Sequence, residues 1–177
     1  MEELKLEELV KKAKEDDEAF DELINSMKND LYCIARTRLD NLDDIADAIQ
    51  DTILTCYKNI QKLKNNKVFK TWLIKILISK CNNIYNKKKK YNISIEENEM
   101  DKYIEVNDNL EKMNFEMFIR NLSLDEQTIL TLYYYSGYTT KEIGHIMGKN
   151  ENTIKTKIRR AKDKLRKEYG GELYERN

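Results

Sequence analysis

Residues 139–167, TTKEIGHIMGKNENTIKTKIRRAKDKLRK, read as two short helices joined by a tight turn. Thr139 and Glu142 have capping-box spacing: the hydroxyl accepts the N3 amide, and the carboxylate reaches back to the cap residue's own amide. The helix they start carries Ile143, Ile146 and Met147 and meets Gly148, a residue suited to the left-handed conformation that ends helices. Asn150 can cap a second helix, on which Ile154, Ile158, Ala161 and Leu165 form one apolar stripe at i, i+4, i+7 and i+11. The opposite face holds Asn152, Lys155, Thr156, Arg159, Arg160 and Arg166. A core could not hold these donors and cations without partners, so water or phosphate must meet them. Gly144 sits mid-helix, where it costs up to about 1 kcal/mol against Ala, which is reasonable if the second helix crosses very close there. The pattern is that of a helix-turn-helix. A plain helical hairpin with a solvated basic face is the alternative, because most charged helix faces are only that.

The remainder of the 177 residues favours helices throughout. There is no Pro, and all five Gly lie beyond residue 136. Strong helix formers dominate what precedes, so the fold is expected to be all-α. The N-terminus, MEELKLEELV, is acidic and amphipathic, and no apolar run approaches the roughly 18 residues that span a bilayer. A cytoplasmic protein is expected. Cys33, Cys56 and Cys81 are widely spaced with no CxxC pair, and the chain has one His. Neither a disulfide framework nor a zinc site is supported, and the three read as buried thiols.

The net charge of zero conceals segregation along the chain. Residues 1–50 hold 7 basic and 15 acidic side chains, 51–95 hold 11 and 1, 96–136 hold 3 and 10, and 137–177 hold 11 and 6. Two basic blocks alternating with two acidic ones imply two nucleic-acid contacts, with the acidic blocks facing something else.

Apolar periodicity places a short helix at 6–13, a second at about 18–39 through Phe20, Leu23, Met27 and Leu31, and a third from 42 to about 60. The inner side of the third is expected to carry Leu42, Ile45, Ile49, Ile53, Cys56 and Ile60. Its outer side sets Asp44, Asp47 and Asp51 at i, i+3 and i+7 with Gln50, and Leu54 stands among them. One exposed Leu means little, but an apolar anchor ringed by charge resembles the centre of a partner-binding surface. After a polar loop at 61–67 (QKLKNNK), a helix over about 68–87 is apolar around most of its circumference. It must be packed on several sides, leaving one narrow polar stripe of Thr71, Lys75, Ser79, Asn82 and Asn86. Lys87–Lys90 follow, a run that attracts phosphate without regard to sequence. Residues 91–108 lose helical periodicity and turn acidic, as an interdomain linker does. A helix over about 109–121 and another from the Ser123/Glu126 capping box to Gly137 then support the helix-turn-helix.

Three segments, DDIADAIQDTIL (43–54), FKTWLIKILISKC (69–81) and LYYYSGYTTKEIGHIMGKNENTIKTKIRRAKDKL (132–165), resemble conserved regions two and four of the sigma-70 family of transcription initiation factors. The likeness is to its small extracytoplasmic-function (ECF) group and extends over nearly the whole chain. It implies a region-two-like four-helix domain at 1–90, an acidic linker at 91–108, and a region-four-like helix-turn-helix domain at 109–177. By resemblance, Asp47, Gln50, Asp51 and Leu54 contact the beta-prime coiled coil of core RNA polymerase. The beta flap is a second polymerase contact, promoter DNA the other partner, and an anti-sigma factor a further one that the resemblance allows without requiring. Lys62, Lys64, Asn65, Asn66, Thr71, Trp72, Lys75, Ser79, Asn82 and Asn86 fall where the family captures and melts the -10 element. Thr140, Lys141, Asn150, Asn152, Lys155, Thr156, Arg159, Arg160 and Arg166 fall on the -35 element. No catalytic residue, cofactor or metal is implied. When bound to polymerase the protein would be nucleoid-associated, and the seven acids between Glu96 and Glu111 would thread the linker toward polymerase's active-site and exit channel in place of nucleic acid. The family commonly has Ala at position 144 and Gly at position 152, where this chain has Gly and Asn.

Two other classes compete. A dimeric repressor shares the basic recognition helix but needs a dimerisation or effector domain, and residues 1–90 offer a second DNA-facing stripe instead. An enzyme would have to use Asp44, Asp47 and Asp51 as metal ligands or His145 as an acid/base. The aspartates have no His near them in sequence, and a lone His on a helix-turn-helix is far more often a surface residue.

Overall fold

The computed structural model describes residues 2–92, 115 and 117–169, which are helices and short connections with no strand among them. The chain divides into two compact units, Met1–Ile95 and Glu96–Asn177. Residues 93–108 of the expected linker and most of the helix expected at 109–121 lie outside the described residues. Of that helix, 115 and 117–119 are helical.

In the first unit, α1 is Glu2–Lys12, α2 Asp17–Arg36, α3 Leu42–Asn59 and α4 Phe69–Asn92. Side-chain caps start the middle two: Asp16 accepts from the Glu18 amide, and Asn41 from those of Asp43 and Asp44, satisfying donors that have no partner within the helix. Helix α4 packs against both α2 and α3. Its Phe69, Leu73, Ile74, Leu77 and Cys81 are fully buried, against Leu23, Leu31 and Ile34 of α2 in the same core. Tyr85, nearer the helix's C-terminal end, is 42% exposed. Burial pushes the Cys56 and Cys81 thiols up to about 12 and about 11, so both stay protonated and unreactive. Cys33 is only half-buried.

The inner face of α3 differs from expectation. Ile45, Ala48, Thr52 and Cys56 are buried, Ile49 and Ile53 are half-buried, and Leu42 is exposed. Counting large apolar residues passed over Ala48 and Thr52, which are small enough to lie under a close neighbour. Thr52 satisfies its hydroxyl on the Ala48 carbonyl at 2.7 Å, and so costs little when buried.

In the second unit, α5 is Leu124–Leu130, α6 Thr140–Met147 and α7 Glu151–Tyr169. Helix α5 does not run on regularly to Gly137. It widens into a π turn over Thr131–Tyr135, and the chain then reverses at Gly137, whose φ is 75°. Leu132 is buried, while Tyr133, Tyr134 and Tyr135 are half-buried. Glu126 does more than close its capping box. Its side chain, 10% exposed, accepts from Lys164 Nζ of α7 at 2.7 and 3.0 Å and from the Ser123 amide and hydroxyl at 3.0 and 2.8 Å. Burial alone would raise the Glu126 carboxyl, but the Lys164 and Ser123 hydrogen bonds outweigh it and hold the group below its ordinary value.

A depressed carboxylate stabilises the fold above its unfolded-state pKa, and that contribution is lost as pH falls through the folded value. Glu126→Gln should therefore destabilise the protein at pH 7 by about 1–2 kcal/mol, the scale of charged hydrogen bonds reduced for the exposure of Lys164. Urea titrations should show the gap from the native protein closing as the pH drops below about 4. A gap that persists undiminished at pH 3 would assign the loss to packing instead.

Candidate nucleic-acid interface

The turn between α6 and α7 is built as its residues dictate. Thr139 accepts the Glu142 amide at 3.2 Å while Glu142 Oε2 accepts the Thr139 amide at 2.8 Å. Gly148 adopts φ 63°, ψ 33°. Asn150 Oδ1 accepts the Thr153 amide and hydroxyl at 2.8 and 2.9 Å. A Cβ on Gly144 would stand 2.7 Å from the Lys149 carbonyl oxygen. The close approach expected there is thus made by the turn's backbone, ahead of the body of α7.

Helix α7 buries Ile154, Ile158, Ala161 and Leu165 and exposes Asn152, Lys155, Arg159, Arg160 and Arg166, with Thr156 half-buried between them. Lys141 and Asn150 are exposed beside this face. Two of the expected contact residues are linked through a carboxylate. Glu151 Oε1 accepts from Thr140 Oγ1 at 2.8 Å and from Lys155 Nζ at 2.8 Å. Lys155 and then Thr140 hold the Glu151 carboxyl below its ordinary value, so at neutral pH it is an anion pinning the start of α6 to the first turn of α7. An open recess of about 620 Å³ lies along this face, lined by Tyr133, Thr139, Thr140, Lys155, Ile158 and Arg159 among others. An apolar floor with hydroxyls and cations on the rim can accept a sugar-phosphate chain.

In the first unit, the segment between α3 and α4 is not featureless. It makes two 3-10 turns, Ile60–Lys62 and Asn66–Val68. Lys62, Lys64 and Asn65 are exposed. Lys62 donates to Asn59 Oδ1 at 3.1 Å, and Asn65 Oδ1 accepts the Lys67 amide at 3.0 Å. Asn66 is half-buried and accepts from Lys14 Nζ at 2.8 Å. Along α4, Lys75, Ser79 and Asn86 are exposed and Thr71 is half-buried, its hydroxyl on the Val68 carbonyl at 2.9 Å. Trp72 is half-buried beside Phe69, with ring centroids 6.1 Å apart. Asn82 accepts from Nη1 of Arg38, in the turn after α2, at 2.7 Å, so this amide oxygen already has a charged partner. Lys14 and Arg38 were invisible as members of the site because each reaches it from a distant part of the chain.

On α3, Asp47, Gln50, Asp51 and Leu54 are exposed together, Leu54 by 55%. One turn on stands Tyr57, 53% exposed, whose ring packs edge-on against Phe20 at 5.1 Å and whose hydroxyl donates to Asp17 at 3.0 Å. Sequence reading passed over Tyr57, although its i+3 spacing from Leu54 was a signal. The acidic face is also partly neutralised. Lys88 pairs with Asp44, and Lys80 approaches Asp51 at 3.7 Å.

These are the parts of a two-unit, all-helical DNA-binding protein with a separate acidic and apolar surface. The family model for sigma-70 region 2 matches residues 23–91, and that for sigma-70 region 4 matches residues 112–165. RNA polymerase sigma factor SigV of Bacillus subtilis is 27% identical over 140 residues, covering 78% of this chain and 83% of that one. ECF RNA polymerase sigma factor SigW of the same organism is 26% identical over 182 residues, with 94% and 97% covered. Among solved structures, the sigma factor RpoE of Bartonella quintana, crystallised with the anti-sigma factor NepR, superposes with a TM-score of 0.66 at 21% identity, over 87% of this chain and 98% of that one. The chain belongs to the sigma-70 family of RNA polymerase sigma factors, in its extracytoplasmic-function group.

The angle at which α7 leaves the turn depends on the left-handed residue at 148. A Cβ there meets nothing within 4 Å, so Gly148→Ala should cost about 1–2 kcal/mol through backbone strain alone. Gly148→Asn should recover much of the loss, since Asn tolerates this conformation. Denaturant midpoints of the three proteins check the order; equal losses for Ala and Asn would point to a steric cause instead.

Proposed function

We propose that this protein binds core RNA polymerase and directs it to promoters carrying a particular pair of -35 and -10 elements. The observation that carries this reading is the exposed Leu54, flanked by Asp47, Gln50, Asp51 and Tyr57, in a chain that also presents a capped basic recognition helix. DNA has no use for an apolar, acidic patch, whereas a protein partner does. In this reading α3 meets polymerase, α7 reads the -35 element, and the 61–67 loop with the polar stripe of α4 engages the opened -10 strand. Trp72 offers a ring on which an unpaired base can stack. The protein acts by binding and by stabilising melted DNA, with no catalytic step of its own. An anti-sigma factor is a further partner in this reading, as it is for RpoE in the co-crystal.

Leu54→Ala combined with Asp51→Ala should weaken association with core polymerase by roughly 30-fold or more, the scale of a lost hot spot. Both side chains are exposed, so thermal stability should move by less than about 0.5 kcal/mol. Surface plasmon resonance against immobilised core enzyme, with a circular-dichroism melt alongside, decides it; unchanged binding would remove α3 from the interface.

On α7 the first turns should read bases and the later turns hold phosphates, as in other helix-turn-helix proteins. Arg159→Ala should change which -35 sequences are preferred, by about 1–3 kcal/mol at the affected base pair. Arg166→Ala should weaken all sequences alike and lower the log-log salt slope by about 0.9. Lys155→Ala should also change preference, and because Lys155 is paired with Glu151 it should disturb Thr140 too. A randomised -35 library titrated at several salt concentrations distinguishes these roles. A preference shift for Arg166→Ala with none for Arg159→Ala would mean that α7 docks differently.

A further inference from the structure

Residues 61–67 carry a single large apolar side chain, the half-buried Leu63, and side chains from far earlier in the chain hold them from behind. Lys14, in the turn between α1 and α2, donates through one ammonium to the Leu63 carbonyl at 2.8 Å and to Asn66 Oδ1 at 2.8 Å. The Lys14 carbonyl in turn accepts from Gln61 Nε2 at 3.1 Å. Asn66 Nδ2 donates to the Glu7 carbonyl at 3.4 Å, and Lys67 pairs with Glu7 at 3.8 Å. These are contacts between residues 47 to 60 positions apart, and they meet both halves of the loop.

We infer that Lys14 is a positioning residue for the promoter-reading loop, and that α1 with the turn after it thereby sets selectivity at the -10 element. The inference rests on the reading of this loop as the -10 contact. Asn66 is committed at both ends of its amide, its oxygen to Lys14 and its nitrogen to Glu7, so it belongs to the scaffold and not to the reading surface. The exposed Lys64 and Asn65 are left at the tip. A tip held at a fixed height admits the base that fits and excludes those that do not, and it avoids the ordering cost that a loose loop incurs on binding. Freed from Lys14, the loop would adapt to wrong bases and would bind the right one less well, so discrimination would narrow.

The test uses holoenzyme reconstituted from the full chain and core RNA polymerase on a template library randomised at both promoter elements, with transcripts sequenced. Lys14→Met keeps the aliphatic stem and removes the donor. It should reduce enrichment at the loop-read -10 position by about five-fold, the scale of one ordinary net hydrogen bond, and leave -35 enrichment unchanged. Lys14→Arg, whose guanidinium can serve two acceptors, should restore at least half of the lost enrichment. Amide hydrogen exchange at Leu63 and Lys67 should be faster in the Met variant and near native in the Arg variant. If Lys14→Met lowers -35 enrichment and the melting transition as well, Asn66→Ala removes the same bond from the loop side and should reproduce the narrowed -10 preference. The proposal is overturned if Lys14→Met, or Asn66→Ala where the former misfolds, keeps -10 enrichment within about two-fold of native. Holoenzymes carrying Lys64→Ala or Asn65→Ala in which -10 enrichment stays at the native level would instead sink the loop reading itself, and this inference with it.

Discussion

Helix α4 has more apolar surface than one neighbour can cover. Phe69, Leu73, Ile74, Leu77, Ile78 and Cys81 are all buried, and at 3.6 residues per turn they span about half of the helix's circumference, well beyond an ordinary apolar stripe. The helix therefore lies against α2 and α3 at once, which confines its polar side chains to the opposite side. Everything else in the first unit follows from that constraint. The α3–α4 connection is forced to an end of the bundle, Arg38 just past α2 comes within reach of Asn82, and the carboxylates of α3 come within reach of Lys80 and Lys88.

The second unit is organised by a polar interaction instead. Its helices are short, α5 having seven residues and α6 eight, and such helices are marginal unless their ends are capped and their faces packed. Capping boxes start both. Glu126 extends its box to Lys164, so the group that satisfies the first turn of α5 also fixes the far part of the recognition helix. Gly148 and Asn150 fix its near end. With both ends held, the helix presents its cationic face at a set angle and has little ordering left to lose when DNA arrives.

Much of this was legible in the sequence because it depends on local rules. The two capping boxes, the left-handed Gly148, the Asn150 cap and the α7 stripe each involve residues within a few positions of one another, and each is realised. The inner face of α3 was misread because Ala48 and Thr52 contribute to a core by being small, which a search for large apolar residues cannot register. The regular helix expected through Tyr133 to Gly137 gave way to a π turn, since one inserted residue in a helix leaves no compositional mark. The anchoring of the 61–67 loop and the capture of Asn82 were hidden for a different reason. Lys14, Glu7 and Arg38 are ordinary surface residues by pattern, and only the packing of α1 and α2 brings them to the site.

The same contacts change the meaning of the charge pattern. By count, residues 51–95 form a basic block of 11 cations against one acid, and all of them would be credited to nucleic acid. Yet Lys80 faces Asp51, the block's own acid, while Lys88 pairs with Asp44 and Lys67 faces Glu7, so part of the block answers acids of the same unit, most of them in the acidic block before it. A cation already paired gains less from a phosphate than a bare one, because it must first give up its carboxylate. The cations of this unit accordingly divide into those that hold the bundle together and those, such as Lys64 and Lys75, that face solvent. Because Asp51 also lies on the exposed face of α3, a partner that engages its carboxylate would release Lys80 toward solvent.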